Sequence, residues 1–552
     1  MILEKLCEFA ETVEDFPPLH FTKKSLDWLI EINEAGELLG FTDVSDEDEI
    51  YLFAENLVGR SGLAIKPLLF GDKAKYIFGN TRGEELSDRE KDLKKSFSDL
   101  TNDCYESINL NKVKVVLNFL DDYDVSQLEN YEEIDDNDWM AFRVNGEDLF
   151  DNKEIRSYWQ KRQNEVAKDR TDMISECLVC GNEKAIADRH TEKLKLSRIG
   201  GHGRGNPLIS ANVESFESYG LKESRIAPVC FDCATQYGRA ANYLIAKEKH
   251  RLKIGDILYI FWTKNNLEFN GFELLENPEE NELRDFLKSF KSGKKAYIDD
   301  EEFYCLALSA NNSRTVVRDW ISTTIENVEE NINNYFREMK LDDNKSDRYY
   351  GINSLVSQTA FKFDDIKPIV AESLAAYAIK GSPLAEAVLF NTVKRIKADV
   401  EFRVTRPRAS LLKMYFNSHP EGGIKVKDKL NKKENSPAYL CGRLFCVIEI
   451  IQKKALPGIK STIVDRYYGT ASSAPASVFG NLIRKAQHHL AKLRKEESTT
   501  GMYYWLQSEL KDIMVELNDF PATLSLKEQG LFALGYYQQK AYRPEKEKKE
   551  EK

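Results

Sequence analysis

Apolar positions along the chain follow two periods, and the change from one to the other divides it. Residues 1–13 carry apolar side chains at helical spacing. From Leu26 to Val44 the period drops to two, with Glu34-Ala35-Gly36 between LDWLIEIN and ELLGFTDV, which predicts a β-hairpin. Ser87 with Glu90 three residues on predicts a capped helix to about Leu110. VKVVLNFL at 113–120 reads as a strand, WMAFRVNGEDLF at 139–150 as a hairpin turning at Asn145-Gly146, and 152–167 as a helix. CATQYGRAANYLIAKEKH predicts a further helix. ILYIFWT at 257–263 and FYCLALS at 303–309 read as buried strands, TVVRDWISTTI at 315–325 as a partner of the latter, and a long helix follows to about Met339. After LDDNKSDRYYG at 341–351 strand signals vanish. From Ile366 the chain reads as successive helices broken at 381–383, 405–407, 417–437, 456–475 and 518–524. PEKEKKEEK at 544–552 is low-complexity.

The stretch Thr462–Leu493 is the most informative of these. Pro475 suits a first helical turn, with Ser472 or Ser473 as cap. Beyond it Phe479, Leu482, Ile483, Ala486, Leu490 and Leu493 share one side at helical spacing. Arg484, Lys485, His488, Lys492 and Lys495 share the other. Spacing alone allows a solvated face on a core helix or a strip that tracks a phosphate backbone.

The chain has 552 residues, too many for one core. No run of 18 apolar residues and no basic-then-apolar leader occurs, so the sequence predicts neither membrane insertion nor secretion. A net charge of −12 argues against a nucleic-acid binder, but the charges are segregated. Nine acids and no Lys or Arg lie between Phe119 and Phe142; twelve Lys/Arg against four acids lie between Lys394 and Lys433. Segment 189–204 carries Arg189, Lys193, Lys195, Arg198 and Arg204 against Glu192 alone. Fields act within a Debye length of roughly 8 Å at physiological salt, so patches outweigh the sum.

Five of the nine cysteines (Cys7, Cys104, Cys305, Cys441, Cys446) are scattered in apolar contexts, the usage of a reducing cytoplasm. The other four form two C-x-x-C knuckles, Cys177/Cys180 and Cys230/Cys233, which together offer four thiolates to one structural zinc. Gly181 directly after the first knuckle lets the backbone turn toward the metal. A competing pattern is His190-x-Glu192 ahead of Pro228-x-Cys230-x-x-Cys233, near the H-x-E…P-C-x-x-C of zinc nucleobase deaminases, with Glu192 moving protons. An extra Val229 and the two remaining cysteines speak against it, because a closed four-thiolate shell holds no activated water. Between the knuckles, Gly200, Gly201, Gly203 and Gly205 accompany the donors Arg198, His202, Arg204 and Asn206, the composition of a DNA-contacting finger or of a plain surface loop.

Several blocks resemble, in order, the large subunit of type I-C CRISPR surveillance (Cascade) complexes: MILEKLCEFAE at 1–11, RSGLAIKPLLFGDKAKYIFG at 60–79, NVESFESYG at 212–220, VVRDWISTTIENVEENINNYF at 316–336, AYLCGRLFCVIEIIQKKA at 438–455, the 462–493 stretch and FPATLSLKEQGLFALGYYQQK at 520–540. The knuckle cysteines are outside the family's shared pattern, so zinc rests on spacing. Where family members have Asn after the Lys-Pro and Trp before the Asp, this chain has Leu68 and Gly71. The resemblance implies a non-enzymatic, prokaryotic cytoplasmic subunit that reads the short protospacer-adjacent motif (PAM) in duplex DNA through Arg60, Lys66, Asp72, Lys73, Lys75 and Tyr76. It also implies as partners a guide crRNA, target double-stranded DNA, the Cascade backbone subunit, a guide-processing subunit and a helicase-nuclease. A small subunit can arise by internal translation near Met414. The expected fold is α+β, a mixed α/β N-terminal region with a zinc-ribbon-like insertion followed by an all-α C-terminal helical bundle. Its expected parts are 1–169 (PAM inspection), 170–250 (zinc-ribbon-like segment with the Gly/Arg-rich loop), 251–350 (the rest of the α/β region), 366–543 (the helical bundle) and a disordered tail at 544–552.

Overall fold

The computed structural model describes residues 1–45, 51–57, 64–82, 85–123, 133–190, 192–267, 269–292, 301–311, 314–343, 348–401, 403–422 and 424–542. The fold is α+β, with strands in the N-terminal part and, among the described residues, helices alone after it, and it divides into two compact units: 1–195 with 204–243, and 196–203 with 244–552.

The first unit opens with α1 (Ile2–Thr12) and the pair β1 (Phe21–Lys24) and β4 (Tyr51–Ala54). Its main sheet runs β3 (Leu38–Asp43), β2 (Trp28–Ile32), β6 (Trp139–Val144), β5 (Gly71–Lys73), with β7 (Glu147–Asp148) paired to β6. The β2–β3 and β6–β7 hairpins are those the alternation predicts, and β2 lies parallel to β6. Asn145 and Gly146 take φ of 53° and 77°, the two left-handed positions of the turn that matches strand twist. Over the sheet lie α2 (Ala74–Ile77), α3 (Asp88–Ile108), α4 (Asn111–Asp122) and α5 (Lys153–Arg170). Ser87 and Glu90 close the expected capping box on α3. The expected strand at 113–120 is instead α4. Val113, Val116, Phe119 and Leu120 recur at helical intervals and all bury, and packing under α3 overrides their β-branched preference. Asn109, left-handed at φ 48°, makes the corner between the two helices. The unit ends with the hairpin β8 (Ile174–Glu176) and β9 (Glu183–Ala185), an irregular loop, and most of α6 (Phe231–Ala246).

The second unit holds an antiparallel sheet of β10 (Arg251–Ile254), β11 (Ile257–Thr263), β12 (Glu302–Asn311) and β13 (Arg314–Thr324) in that order, with α7 (Gly271–Glu276), α8 (Glu280–Ser292) and α9 (Ile325–Met339). There follow α10 (Ile352–Ser357), α11 (Pro368–Lys380), α12 (Glu386–Ala398), α13 (Arg406–Asn417), α14 (Pro437–Ala455), α15 (Ile463–Ala471), α16 (Phe479–Lys495), α17 (Thr500–Glu516) and α18 (Leu526–Ala541). One apolar core runs from Leu252 through Tyr536 and joins the sheet to the helices. Its tightest helix pair is α14 with α18. A Cβ at Gly442 would sit 2.0 Å from the Phe532 carbonyl oxygen, and one at Gly535 2.2 Å from that of Tyr439, so two glycines let the backbones touch. The expected break at 456–475 contains α15, opened by a Thr462–Asp465 capping box. Ser472 and Ser473 do not cap the helix after them: both hydroxyls donate back to the Gly469 carbonyl, and Pro475 begins a short 3-10 turn ahead of α16.

Candidate metal centre and nucleic-acid interface

The β8–β9 hairpin presents Cys177 and Cys180, and the start of α6 presents Cys230 and Cys233. The four sulfurs lie within 4.8 Å of one another. A tetrahedral zinc with bonds of about 2.3 Å would set its thiolates about 3.8 Å apart, so small side-chain adjustments bring all four onto one ion. Gly181 takes φ 68°, the turn expected of it, and its N–H donates to the Cys177 carbonyl at 2.9 Å. The Leu178 N–H donates to Pro228 O at 2.9 Å and the Ala187 N–H to Val229 O at 3.0 Å, tying the two knuckles together through the backbone. Cys177 Sγ accepts N–H groups from Val179 at 3.4 Å and Cys230 at 3.3 Å. Burial pushes the Cys177 thiol up, but the backbone N–H groups of Cys180, Cys230 and Val179, with the Cys180 thiol, outweigh it and hold it at about 7. The Cys230 thiol is pushed up by its hydrogen bond with Cys233 and by burial. Asp232, between the knuckle cysteines, is gripped by Lys184 at 2.9 Å and faces His20 at 3.3 Å. On the α1 side, Cys7 Sγ donates to the Cys233 carbonyl at 3.6 Å. The set fits one thiophilic metal ion with no coordination site left over.

His190 and Glu192 are not part of that cluster. His190 is buried with Nδ1 2.6 Å from the Tyr237 hydroxyl, and burial holds its imidazole down at about 4. Glu192 packs on Gly238, where a Cβ would meet its own at 2.2 Å, and burial raises its carboxyl. The four cysteines come together without the histidine, which is not the three-ligand, water-bearing arrangement of a deaminase.

The expected N-terminal loop segment carries structure of its own, with Asp72 and Lys73 on β5 and Lys75 and Tyr76 on α2; Arg60 lies outside the described residues. Asp72 is fully buried and its carboxylate accepts the backbone N–H groups of Leu68 at 2.9 Å and Lys73 at 2.7 Å. Tyr76 is buried as well. Neither side chain is presented at the surface. Lys66, Lys73 and Lys75 are half-buried. Lys73 and Lys75 converge on Asn137 Oδ1, at 3.4 and 2.8 Å. The Asn137 N–H and amide hold the Asp135 carboxyl below its usual range, with smaller help from Arg82 and Lys75. Lys24 stands 3.0 Å over the Trp139 ring, with Lys73 5.8 Å from it. Lys24, Arg82, Asn137 and Trp139 thus join these lysines on a partly aromatic surface of mixed charge, where Asp135, Asp136 and Asp138 also lie, and local spacing does not reveal it because its members lie far apart in the sequence.

On the loop between the knuckles, Arg198, His202 and Arg204 are exposed. Asn206 is fully buried, and its backbone N–H and C=O pair with Leu194 at 2.9 Å each. Gly205, at φ 85°, lets the chain pass Lys193, whose Cβ an added methyl would meet at 2.7 Å. Within the second unit, Arg198 borders a cavity of about 720 Å³ with Arg251 and Lys253, and Lys253 Nζ donates to the Arg198 carbonyl at 2.8 Å.

Helix α16 has the two faces its sequence predicts. Phe479, Leu482, Ala486, Leu490 and Leu493 are buried, whereas Arg484, Lys485, His488, Lys492 and Lys495 are exposed. Lys485 reaches the Tyr467 hydroxyl at 3.5 Å, and Lys492 Nζ donates to the Ala455 carbonyl at 2.7 Å.

A family model described as CRISPR-associated protein (Cas_Csd1) matches residues 4–543. The chain belongs to that family. The match covers nearly the whole chain, both units included, and supports a Cascade-type CRISPR protein. No curated protein matches it. Among the described residues, no helix is long and apolar enough to cross a membrane.

Proposed function

We propose that this family member is the non-catalytic large subunit of a type I-C CRISPR surveillance complex. It recognises the PAM in duplex DNA, helps to open the duplex, stabilises the resulting R-loop and supports recruitment of the helicase-nuclease. The observation that carries this reading is the exposed basic face of α16 on a helix whose other face is fully committed to the core. Such a face is free to follow phosphates without disturbing the fold.

Roles divide by surface. Lys66 and Lys73 contact base edges or the groove, and Lys75 and Arg60 contact phosphates, while Asp72 and Tyr76 hold their loop in shape. Arg198, His202 and Arg204 touch DNA from the loop that the knuckles anchor, with Asn206 fixing its base. Arg484, Lys485, His488, Lys492 and Lys495 guide a strand along the bundle. The metal is one structural zinc on Cys177, Cys180, Cys230 and Cys233, a clamp without catalytic duty. The partners are the crRNA, the backbone and guide-processing subunits, and a small subunit made from the C-terminal region. Begun at Met414, near the end of α13, that fragment would comprise α14–α18.

The test is binding by the reconstituted complex to duplexes that differ in the target flank. Lys66→Ala weakens discrimination between flanks, whereas Lys485→Ala weakens all DNA equally and lowers the salt slope by about 0.9. Identical effects of both substitutions on flank preference would refute the division of roles.

A further inference from the structure

The C-terminal bundle contains an opening of about 540 Å³ where α14, α17 and the end of α18 meet. Trp505, Met502 and Tyr542 form its apolar wall, each half-buried, and Lys453, Lys454 and Lys540 stand at its edge. The acid at its floor, Glu449, is already engaged: Lys453 donates to one oxygen at 2.5 Å and the Tyr536 hydroxyl to the other at 2.6 Å. Lys540 Nζ is placed by the same tyrosine, 3.2 Å from its hydroxyl. The lining therefore combines a flat aromatic surface with an excess of positive charge. Volume is ample for a nucleobase, within the range of about 300–1,000 Å³ typical of ligand sites.

The opening also continues the basic strip. Lys492 of α16 bonds the Ala455 carbonyl, one residue past Lys454. After Lys495, α16 passes through a single 3-10 turn into α17, whose first turns carry Met502 and Trp505. Among the described residues, a Cβ on Gly501, at the rim, would meet nothing within 4 Å. The α16 lysines and Trp505 therefore lie on consecutive elements, joined where Lys492 meets the end of α14 beside Lys454.

We propose that this opening is a nucleobase site: it takes one unpaired base of single-stranded DNA against Trp505, Met502 and Tyr542, with the flanking phosphates at Lys453, Lys454 and Lys540. The inference rests on the reading of the bundle as a DNA-binding surface and adds to it a stacking contact. A protein side chain is the poorer occupant, because lysine is depleted where proteins bury side chains of a partner, whereas aromatic walls edged with cations are the usual platform for single strands.

The test uses the full-length chain and two labelled single strands of equal length, oligothymidylate and an abasic oligomer, read by fluorescence anisotropy. The wild type should bind the base-bearing strand roughly tenfold tighter than the abasic one. Trp505→Ala should erase that preference, Trp505→Phe should keep most of it, and Met502→Glu should erase it again from a second position. Lys485→Ala should weaken both strands and leave their ratio intact. Folded Trp505→Ala protein that retains the wild-type ratio overturns the base site while the DNA-binding reading stands. Wild-type chain that binds neither strand overturns both. If Trp505→Ala leaves both strands bound normally but prevents assembly with the other subunits, the opening is a protein-docking site and the inference fails.

Discussion

Stripping the proposed zinc from the cysteine centre should unfold the β8–β9 knuckle and leave the helical bundle standing. The segment from Ile174 to Ala185 buries only Cys177 and Ala185, and leaves Ile174 58% and Leu178 53% exposed. Ordering its backbone costs on the order of 12–24 kcal/mol at about 1–2 kcal/mol per residue. Burial of two small side chains returns about 2–3 kcal/mol, and its few backbone hydrogen bonds add about 2–4 kcal/mol net. The balance is close to the roughly 10–16 kcal/mol that a four-ligand structural zinc supplies. The assay is hydrogen exchange with and without a zinc chelator, paired with elemental analysis for one ion per chain. Chelation, or Cys177→Ser, should bring residues 174–185 to the exchange rate of unstructured chain. Zinc added back should restore the chelated protein but not the variant. Peptides from α14 and α18, whose core is separate, should keep their protection. Unchanged protection of 174–185 in metal-free protein would refute the argument that the knuckle cannot hold itself.

Gly442→Ala should destabilise the bundle by about 1–3 kcal/mol in denaturant unfolding, because its methyl would stand 2.0 Å from a backbone oxygen that cannot move aside. A neutral or stabilising result, as helix propensity alone would give, would disprove the close α14–α18 contact. His190 is held at about 4 by burial against a reference of 6.5. Below pH 6.5 the unfolded chain takes a proton that the folded one refuses until about pH 4, so stability falls across that window by up to about 3 kcal/mol. His190→Gln should flatten that part of the profile relative to wild type, and parallel profiles would show that the imidazole is not the cause. Replacing Asp72 by Ala leaves the N–H groups of Leu68 and Lys73 without their acceptor. It should cost about 1–3 kcal/mol and shift the lysines of that loop, read as lost flank discrimination without lost general DNA affinity.

What the sequence disclosed depends on how local the signal was. Ser87 with Glu90, Asn145-Gly146 and the two C-x-x-C spacings are each settled by a few adjacent residues, and each appears in the structure as expected. The amphipathic pattern of α16 was equally plain because one side is apolar throughout. VKVVLNFL failed because a β-branched run fits a strand or a buried helix, and only α3 packed above it decides. Helix α15 is concealed by glycine, threonine and tyrosine, although Thr462 and Asp465 carry a capping signal. No local pattern could bring Lys24 to Trp139, or Trp505 to Tyr542 and Lys453, since those neighbours are set by the fold alone.

The same distinction bears on how a candidate binding loop is read from sequence. Asp72, Tyr76 and Asn206 stand among the lysines, arginines and glycines of their loops and look like further contacts, yet all three are buried. Asp72, on β5, accepts N–H groups from Leu68 and Lys73 of its own segment, and Asn206 bridges Leu194 through its backbone. A loop that presents cations to a polyanion must resist their mutual repulsion and stay ordered in its absence, so residues that fix the backbone belong beside residues that reach outward. Composition marks both kinds alike. Burial separates them: Lys66, Lys73 and Lys75 keep access to solvent, as do Arg198, His202 and Arg204. Because the fixing residues are internal, an acidic one such as Asp72 adds to the net charge of −12 without presenting its charge at the surface.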